Sequence, residues 1–395
     1  MVFLGYLTGF YSEADAFAAI DFNTLGLLFG MMMLVALLEP TGFFAYLAVW
    51  AGRLSKGRPV ILLVLLGSVT TFLSMFLDNV TTVVLIAPVT ILICEILGLT
   101  PAPFLMAEAL LSDTGGVATL VGDPPNVLIA SAAGFTFNDF LVHSLPIVII
   151  VWLVALLLLR YLFSSALSVK LSSIESVLSL DPKEALHDGQ TAKRVLVVLG
   201  GALLVFFIQD WLYVSTAFIA LGAAVVALVW IRPDISETLR KIEWSVLVFF
   251  IALFVMVGGL EKAGVLHGLA NMLIRLVAHI SPMFLGVLLI WVVAGLSAVV
   301  DNIPITIALI PIILDLGATG INVDPLWWAL VFGAGFGGNG TIIGSTANIV
   351  VVSLSERTRT PITAKLWNKR GLPVMLATCF VASLLYIFSY PLFSR

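Results

Sequence analysis

Long apolar runs, interrupted at a few polar positions, make up most of this chain. Six runs predict spanning helices, near 22–38, 139–163, 194–208, 213–231, 244–260 and 372–393. Two pairs of runs, each broken at an Asp-Asn dipeptide, predict hairpins at 60–77 with 79–97 and at 283–300 with 302–318. Two further segments, 102–133 and 326–354, predict helices interrupted by Gly- and Pro-rich stretches. Such stretches free backbone groups that must line a polar cavity, because hydrocarbon cannot satisfy them.

The polar positions inside these apolar runs recur about 222 residues later. A duplicated polar pattern within hydrophobic sequence is typical of secondary transporters built from inverted repeats. We therefore predict an all-α polytopic membrane protein with two inverted-topology repeats, each with a re-entrant hairpin and a discontinuous transmembrane helix. The matched positions are Asp78-Asn79 with Asp301-Asn302, Gly115-Gly116 with Gly337-Gly338, Thr119 with Thr341, Gly122 with Gly344, Asn126 with Asn348, Glu39 with Glu261, and Gly42 with Gly264.

The same offset predicts the domain boundaries. Residues 1–163 form the first inverted repeat, 164–212 a connector and linker helix, and 213–395 the second inverted repeat. The unpaired helix 194–208 inverts the second repeat. Helix 213–231 requires a partner at the start of the chain, where only Met1 to Phe10 are present, so the first helix is expected to be truncated.

Composition supports a membrane protein and excludes several other classes. Hydrophobic residues make up 61% of the chain, charged residues 11%, and the mean hydropathy is +1.15. A soluble core cannot use that much apolar sequence, so the lipid bilayer is the expected surrounding. Two isolated cysteines provide neither a disulfide framework nor a metal spacing, and the Gly-rich stretch 333–340 lacks the Lys-Ser/Thr of a nucleotide loop. We expect neither an enzyme nor a nucleic-acid-binding protein.

Basic residues predict the orientation in the membrane. Threading the predicted helices places nearly all Lys and Arg residues in loops on one side, which the positive-inside rule makes cytoplasmic. We therefore expect a multi-pass inner-membrane protein whose long connector, 164–194, is cytoplasmic. That connector mixes apolar and charged residues, as an interfacial helix does.

Acidic residues at the hairpin breaks are the first candidate ligands. Asp78 and Asp301 lie within apolar sequence, where a carboxylate is costly and seldom without function. Carboxylate, amide and hydroxyl oxygens are hard ligands suited to sodium or protons. Alternatively, Asp and Asn only cap the second hairpin helix. The candidates at the two breaks are Asp78, Asn79, Thr81 and Thr82, and Asp301, Asn302 and Thr306.

The interrupted helices supply the second group of candidates. Thr119 and Asn126 in the first half match Thr341 and Asn348 in the second. Inward-pointing helix N-termini favour an anion there, whereas exposed carbonyls favour a cation. The alternative is a simple kink capped by an asparagine. Paired interruptions at matched positions favour a binding function.

Two further acids, Asp113 and Asp123, occur only in the first half. Their counterparts in the second half are Gly335 and Ser345, so we predict an asymmetric, net acidic site. Clustered carboxylates cannot all ionise together, which suits proton coupling by Asp78, Asp113, Asp123 and Asp301. For Asp123, the alternative is a turn residue before two prolines.

Several motifs resemble the ion transporter superfamily, in particular its arsenite permease and sodium–proton antiporter branch, which includes the melanosomal P protein. They are Ile20-Asp-Phe-Asn-Thr24, Leu28-Phe-Gly-Met-Met32, Leu77-Asp-Asn-Val-Thr-Thr82 and Thr119-Leu-Val-Gly-Asp-Pro-Pro-Asn126. The resemblance implies inverted repeats with hairpins, a homodimer and elevator-type alternating access. Distant members are sodium-coupled carboxylate symporters with Ser at the hairpin tips, where this chain has Asp78 and Asp301.

These observations predict a secondary active transporter of a small inorganic ion, working by proton- or sodium-coupled antiport such as arsenite efflux or sodium–proton exchange. No cofactor is expected, apart from a bound sodium ion at Asp78, Asn79, Asp301 and Asn302. A sodium- or proton-coupled symporter of a small anion such as citrate is the alternative. A passive channel, or the membrane subunit of a pump with a soluble ATPase partner, is the alternative of a different class.

Overall fold

The structure is a computed structural model that describes residues 5, 9–168, 181–265 and 281–394. The described residues form helices and connecting turns, with no strand among them. Six of their helical stretches are long and apolar enough to cross a membrane, which agrees with the all-α membrane fold expected from the sequence. These are Phe22–Thr41, Asn79–Leu97, Leu145–Leu162, Gly189–Gln209, Trp244–Lys262 and Ala364–Phe388.

Two helical hairpins occur where the apolar runs are interrupted. The first hairpin consists of Pro59–Ser74 and Asn79–Leu97, and the second of Pro282–Ser297 and Asn302–Ala318. Asp78 and Asp301 are the N-cap residues of the second helix in each hairpin. The predicted break positions therefore coincide with real helix boundaries.

Two broken helices lie beside the hairpins. The first consists of Ala102–Gly116 and Pro124–Ala133, and the second of Asp324–Gly337 and Thr346–Ser355. Residues 117–123 in the first have no helical bonding pattern, whereas the second is bridged by two short 3₁₀ turns, Gly338–Gly340 and Ile342–Gly344. Both interruptions predicted from the Gly-rich stretches are present.

Four further helices form a second group, which we call the scaffold. Phe22–Leu38 packs against Thr216–Ile231, and Gly189–Leu212 packs against both. Trp244–Lys262 packs against Phe22–Leu38 and against the second hairpin. The scaffold thus adjoins the hairpins and broken helices, which we call the bundle. Leu145–Leu162 and Ala364–Phe388 pack against each other and against bundle helices.

The remaining helices are short or peripheral, and most connect the longer ones. They are Glu13–Ala18, Phe43–Leu54, Phe137–His143, Ser164–Leu167, Pro182–Ala185, Ile235–Arg240 and Tyr390–Phe393, with a 3₁₀ turn at Glu39–Thr41.

Elements of the two halves interlock within the bundle. Thr346–Ser355 of the second broken helix packs against the first hairpin and the first broken helix. Asn302–Ala318 of the second hairpin packs against Pro124–Ala133. This interlocking brings both hairpin tips and both interruptions to one region of the molecule.

Several predicted helix boundaries were wrong. The predicted 194–208 is the central part of the longer helix Gly189–Leu212. The run 139–163 is two helices, because Phe137–His143 ends before Ser144 and the next helix begins at Leu145, with Pro146 in its first turn. The last long helix begins at Ala364, eight positions before the predicted 372, where Thr363 caps it. The run 213–231 forms a helix only over Thr216–Ile231. Most of the predicted truncated helix, and connector residues 169–180, lie outside the described residues.

Two connecting segments contact each other at the scaffold edge. The carbonyl oxygen of Thr41 accepts hydrogen bonds from the backbone N–H groups of His187 (2.9 Å) and Asp188 (3.2 Å). Gly42 adopts φ +79°, and a Cβ there would lie 1.9 Å from the carbonyl oxygen of Ala185. Only glycine fits this turn. The segment 41–58 packs on the first hairpin through Phe43–Leu54, so the contact joins hairpin and connector.

Candidate functional site

The first hairpin tip is organised by the carboxylate of Asp78. This residue accepts a hydrogen bond from the backbone N–H of Thr81 (2.9 Å) and another from its hydroxyl (2.5 Å). The bond from the backbone N–H is that of a helix N-cap, so the alternative capping role is present. Asp78 also lines the central cavity described below, and each of its carboxylate oxygens can accept more than the one hydrogen bond it has here.

The second hairpin tip repeats this arrangement with a different partner. Asp301 accepts from the backbone N–H of Ile303 (3.1 Å) and from the hydroxyl of Thr346 (3.0 Å). Thr346 begins the second half of the second broken helix. The hydroxyl of Thr306 donates to the carbonyl oxygen of Asn302 (2.8 Å), within the hairpin helix. The second tip is therefore tied directly to its broken helix.

Asn126 and Asn348 brace the two interruptions in the same way. The amide of Asn126 donates to the carbonyl oxygens of Gly116 (2.9 Å) and Thr119 (2.8 Å). The amide of Asn348 donates to those of Gly338 (2.9 Å) and Thr341 (3.0 Å). Both side chains are buried, and neither lines the central cavity. These asparagines hold the shape of the unwound backbone.

Hydroxyl groups fasten each interruption to its own hairpin tip. The hydroxyl of Thr119 donates to the carbonyl oxygen of Met75, and that of Thr341 donates to the carbonyl oxygen of Ala298. These bonds satisfy carbonyls that the hairpin helices leave free at their ends. Tip and interruption therefore form one unit in each half.

Glycine permits this close contact. A Cβ on Gly122 would lie 2.6 Å from the carbonyl oxygen of Gly116 and 2.7 Å from that of Ser74. On Gly344, it would lie 2.6 Å from the carbonyl oxygen of Gly338 and 2.9 Å from that of Ser297. Backbone touches backbone in both halves, which explains the recurrence of these glycines.

The unmatched acids of the first half contact the second half. Asp123 accepts a hydrogen bond from the amide of Asn302 (3.2 Å), and Asp113 accepts one from the hydroxyl of Ser345 (2.9 Å). Ser345 is the counterpart of Asp123 at the 222-residue spacing, and each acid faces an element of the other half of the chain. The Oδ2 atom of Asp113 is buried without a hydrogen-bond partner in the described structure. A buried carboxylate oxygen without a donor favours a bound cation or proton.

A cavity lies between the bundle and the scaffold, at the two hairpin tips. Its bundle wall includes Asp78, Asn79, Asp123, Asp301 and Asn302, five of the predicted site residues. The other predicted residues do not line it; they are Thr81, Thr82, Asp113, Thr119, Asn126, Thr306, Thr341 and Asn348. The structure thus brings five of the thirteen predicted residues to one cavity and places the other eight, which were also expected to bind or couple ions, outside its lining.

Electrostatics in this cavity favour positive ions. Within the described residues, the lining includes four acidic side chains and no Lys or Arg. Asp78, Asp123 and Asp301 all line this one cavity, so their negative charges repel one another when ionised. Among the described residues, no three His, Cys, Asp or Glu side chains could hold a metal ion together. A cation here would share carboxylate, amide and carbonyl oxygens, which suits sodium better than a transition metal.

Glu243 is the cavity residue that the sequence did not reveal. It is the N-cap residue of Trp244–Lys262, and its Oε1 atom lies 3.3 Å from the hydroxyl oxygen of Thr81. In the sequence it follows Arg240 and Lys241 at the edge of an apolar run, as an ordinary loop residue would. Its counterpart 222 positions earlier is Asp21, which is the N-cap residue of Phe22–Leu38 as Glu243 is of Trp244–Lys262. The spacing between matched positions was therefore the one signal that could have identified it.

Comparison with known proteins gives one matching family. The citrate transporter family CitMHS matches residues 1–333. The chain is 40% identical over 381 residues to an uncharacterized transporter of Mycobacterium tuberculosis, covering 96% of this chain and 88% of that protein. It is 40% identical over 378 residues to a 46 kDa membrane protein of Mycobacterium leprae, covering 95% of this chain and 87% of that one.

More distant relatives include the human P protein, which is 33% identical over 443 aligned positions. That alignment covers 92% of this chain and 53% of the P protein, and it confirms the resemblance shown by the motifs. Among solved structures, the YdaH transporter of Alcanivorax borkumensis matches with a TM-score of 0.64 and 17% identity. The match covers 94% of this chain and 86% of that one. It shows a shared fold.

Proposed function

Because this chain belongs to the CitMHS family of citrate transporters and is thus a multi-pass membrane transporter, we propose that it carries a small inorganic ion by secondary active transport. A proton or a sodium ion moving in exchange drives the transport. The observation that carries this proposal is the acidic lining of the central cavity, with no basic side chain among its described residues. A multiply charged anion would meet only repulsion there unless cations bound first.

In this mechanism, the coupling cation binds between the two hairpin tips. Asp78, Asn79, Asp301 and Asn302 face the cavity and provide carboxylate and amide oxygens for it. Asp113 and Asp123 add two more carboxyl groups in the first half. Because so many adjacent carboxylates cannot all be ionised, an arriving sodium ion displaces a proton. That displacement links the two ions in opposite directions.

Alternating access follows, in this proposal, from the division into bundle and scaffold. The bundle contains the polar groups of both repeats, and the two repeats have opposite orientations in the membrane. The scaffold presents a mostly apolar face to the cavity. A polar site can move along such a face as a rigid unit while its unwound backbone stays covered. The segment 41–58 and the cytoplasmic connector 164–194 would join the moving and fixed parts.

Citrate symport is the second candidate, because the matching family is described by that substrate. It requires cations to neutralise the acids before the anion enters. The two candidates differ in the transported substrate, which is an inorganic ion in one and citrate in the other. They also differ in direction, because the substrate moves opposite to the coupling cation in antiport and together with it in symport.

Proteoliposomes that contain a pH-sensitive dye and the purified protein separate these candidates. Gradients of sodium, lithium, arsenite and citrate are imposed one at a time, with the membrane potential clamped. Antiport predicts alkalinisation or acidification of the lumen when an inorganic ion gradient is imposed, with no response to citrate. Sodium-dependent citrate accumulation without proton exchange would contradict antiport. Glu356→Gln, at an exposed helix end outside the cavity, is the matched acidic control.

A further inference from the structure

The two walls of the central cavity differ in chemistry. The bundle wall has carboxyl, amide and hydroxyl groups, whereas the scaffold wall is almost entirely apolar. Glu243 is the one polar residue that the described scaffold helices and their caps add to the lining. The other scaffold residues there are Leu27, Leu28, Met31, Met32, Val35 and Val246. The carboxyl group of Glu243 therefore contacts the hairpin tip only when the bundle lies against the scaffold as it does here. We call this arrangement docked.

The contact of Glu243 with the tip brings two carboxyl groups to one hydroxyl. The Thr81 hydroxyl donates its single hydrogen to Asp78, at 2.5 Å, while Glu243 Oε1 lies 3.3 Å from the same oxygen. The hydroxyl therefore cannot also donate to Glu243. The other polar groups that face this pair do not neutralise the two carboxylates, because Asp123 and Asp301 are also acidic. The nearby Lys241 instead pairs with Glu39 on the scaffold, at 3.8 Å.

We propose that Glu243 is a positioning residue that makes docking of the first hairpin tip onto the scaffold depend on a monovalent cation held between its carboxylate and that of Asp78. The proposal rests on the proposed function in taking that cation to be the coupling ion and in letting the bundle move against the scaffold. Without the cation, the two carboxylates repel and docking is disfavoured. With it, both carboxylates interact with one positive charge and docking is favoured.

Linkage makes this relationship reciprocal. A cation that meets two carboxylates in the docked form and one in the undocked form binds the docked form more tightly. Docking must then raise the affinity for the cation by the same factor by which the bound cation raises the equilibrium constant for docking. When the bundle moves away, Glu243 stays on the scaffold, and the site loses one of its acidic groups. The cation is consequently released more easily on the far side, as a carrier requires.

The test measures docking directly by cross-linking. Val80 and Val246 line the cavity from the tip and the scaffold, respectively, so cysteines at both positions report on the approach of the two walls. The native Cys94 and Cys379 are both buried and add little background. The rate of reaction with a short bifunctional thiol reagent is measured in detergent at about pH 8.5, where ordinary carboxyl groups are ionised. Sodium, lithium and potassium are each compared with an organic cation too large to enter.

We expect at least one alkali cation to raise the cross-linking rate about tenfold, within the usual range of ligand-induced coupling. In Glu243→Gln, the rate without that cation should rise, and the cation should change it less than about twofold. Glu243→Asp, which keeps the charge on a shorter side chain, should show intermediate dependence and covers the case in which the glutamine variant does not fold. Glu261→Gln removes an exposed scaffold carboxylate at the other end of Trp244–Lys262, outside the cavity, and should behave as the parent protein does.

Unchanged cation dependence in Glu243→Gln, or in Glu243→Asp if only that variant folds, would overturn the inference. So would the lack of any alkali-cation effect in the parent protein. The proposed function fails separately, in proteoliposomes: if docking follows the cation but no inorganic ion moves, the inference about Glu243 stands and the antiporter proposal falls.

Discussion

The amide of Asn302, at the tip of the second hairpin, donates a hydrogen bond of 3.2 Å to the carboxylate of Asp123 on the first broken helix. The two residues are 179 positions apart in the sequence and lie in different halves of the chain. Because both line the central cavity, an ion bound there contacts both halves at once. The counterpart of this acid in the second half is the uncharged Ser345, so the cavity that the two halves share is not symmetric.

Neutralising either hairpin aspartate should abolish coupled transport. In Asp78→Asn and Asp301→Asn, the amide oxygen can still accept the capping hydrogen bonds, so the helices should persist, but the charge facing the cavity is lost. We expect at least a 100-fold lower rate of ion exchange in proteoliposomes for each variant, in keeping with loss of a charged ligand worth about 3 kcal/mol. Both should elute as monodisperse protein in detergent. Exchange at the parental rate would leave these aspartates with only a capping role.

The acids unique to the first half should determine how many protons leave on ion binding. Sodium added to unbuffered, detergent-solubilised protein should release protons at intermediate pH and none at the alkaline end, where all carboxyl groups are already ionised. Asp123→Ser copies the Ser345 counterpart, and Asp113→Gly copies Gly335. Each variant should release fewer protons per protein, whereas Glu356→Gln should match the parent. The same release in all four proteins would remove Asp113 and Asp123 from the coupling step.

Much of this arrangement was accessible from sequence because polar residues are so costly within apolar segments. An Asp-Asn pair between two apolar runs indicates a hairpin break, and both pairs stand at the helix starts that they predicted. The Gly-rich stretches within 102–133 and 326–354 likewise predicted the positions of both helix interruptions. The hairpin breaks and the helix interruptions both follow from local residue types, so one amino-acid sequence is enough to predict where they lie.

Features that depend on three-dimensional approach were not accessible. The contact of Glu243 with Thr81 joins residues 162 positions apart, and nothing in either local sequence indicates it. The break at Ser144 has a similar origin: the hydroxyl of this residue donates to the carbonyl oxygen of Val117 in the first interruption, at 2.6 Å. A serine in an apolar run does not reveal that partner. Sequence also could not separate residues that face the cavity from those that brace the backbone behind it.

Removing either bracing asparagine should loosen the bundle without removing charge. Asn126→Ala and Asn348→Ala each leave two carbonyl oxygens without an amide donor in a buried setting. Each should lower the free energy of unfolding by about 1–3 kcal/mol. The loss should appear as a lower melting temperature in detergent and as faster proteolysis. Asn368→Ala, at an exposed position on Ala364–Phe388, should change neither. Equal melting temperatures for all three variants would exclude the bracing role.

The contact between the two connecting segments should be sensitive to one methyl group. In Gly42→Ala, the added Cβ must avoid the carbonyl oxygen of Ala185 at 1.9 Å, and the backbone must keep φ +79°. We expect the segments to separate, so a fluorophore pair attached to them should show lower energy transfer, and transport should slow severalfold. Gly222→Ala provides the control, since a Cβ there meets nothing within 4 Å. Unchanged energy transfer in Gly42→Ala would show that the segments are held together elsewhere.

A covalent link between bundle and scaffold should stop transport while leaving ion binding intact. Phe72 on the first hairpin and Leu203 on the scaffold helix Gly189–Leu212 line one apolar groove between the two groups, so cysteines at these positions can be bridged. If the bundle moves as a rigid unit, the bridge fixes it in one position and the carried ion cannot reach the far side. Sodium binding, measured by calorimetry or by protection against unfolding, should persist because the hairpin tips are untouched. A bridge between cysteines replacing Ser68 and Phe72, one turn apart on Pro59–Ser74 and outside the cavity, joins two parts of the bundle and should leave transport unchanged. Full transport with the Phe72–Leu203 bridge closed would favour a local gate at the tips over movement of the whole bundle.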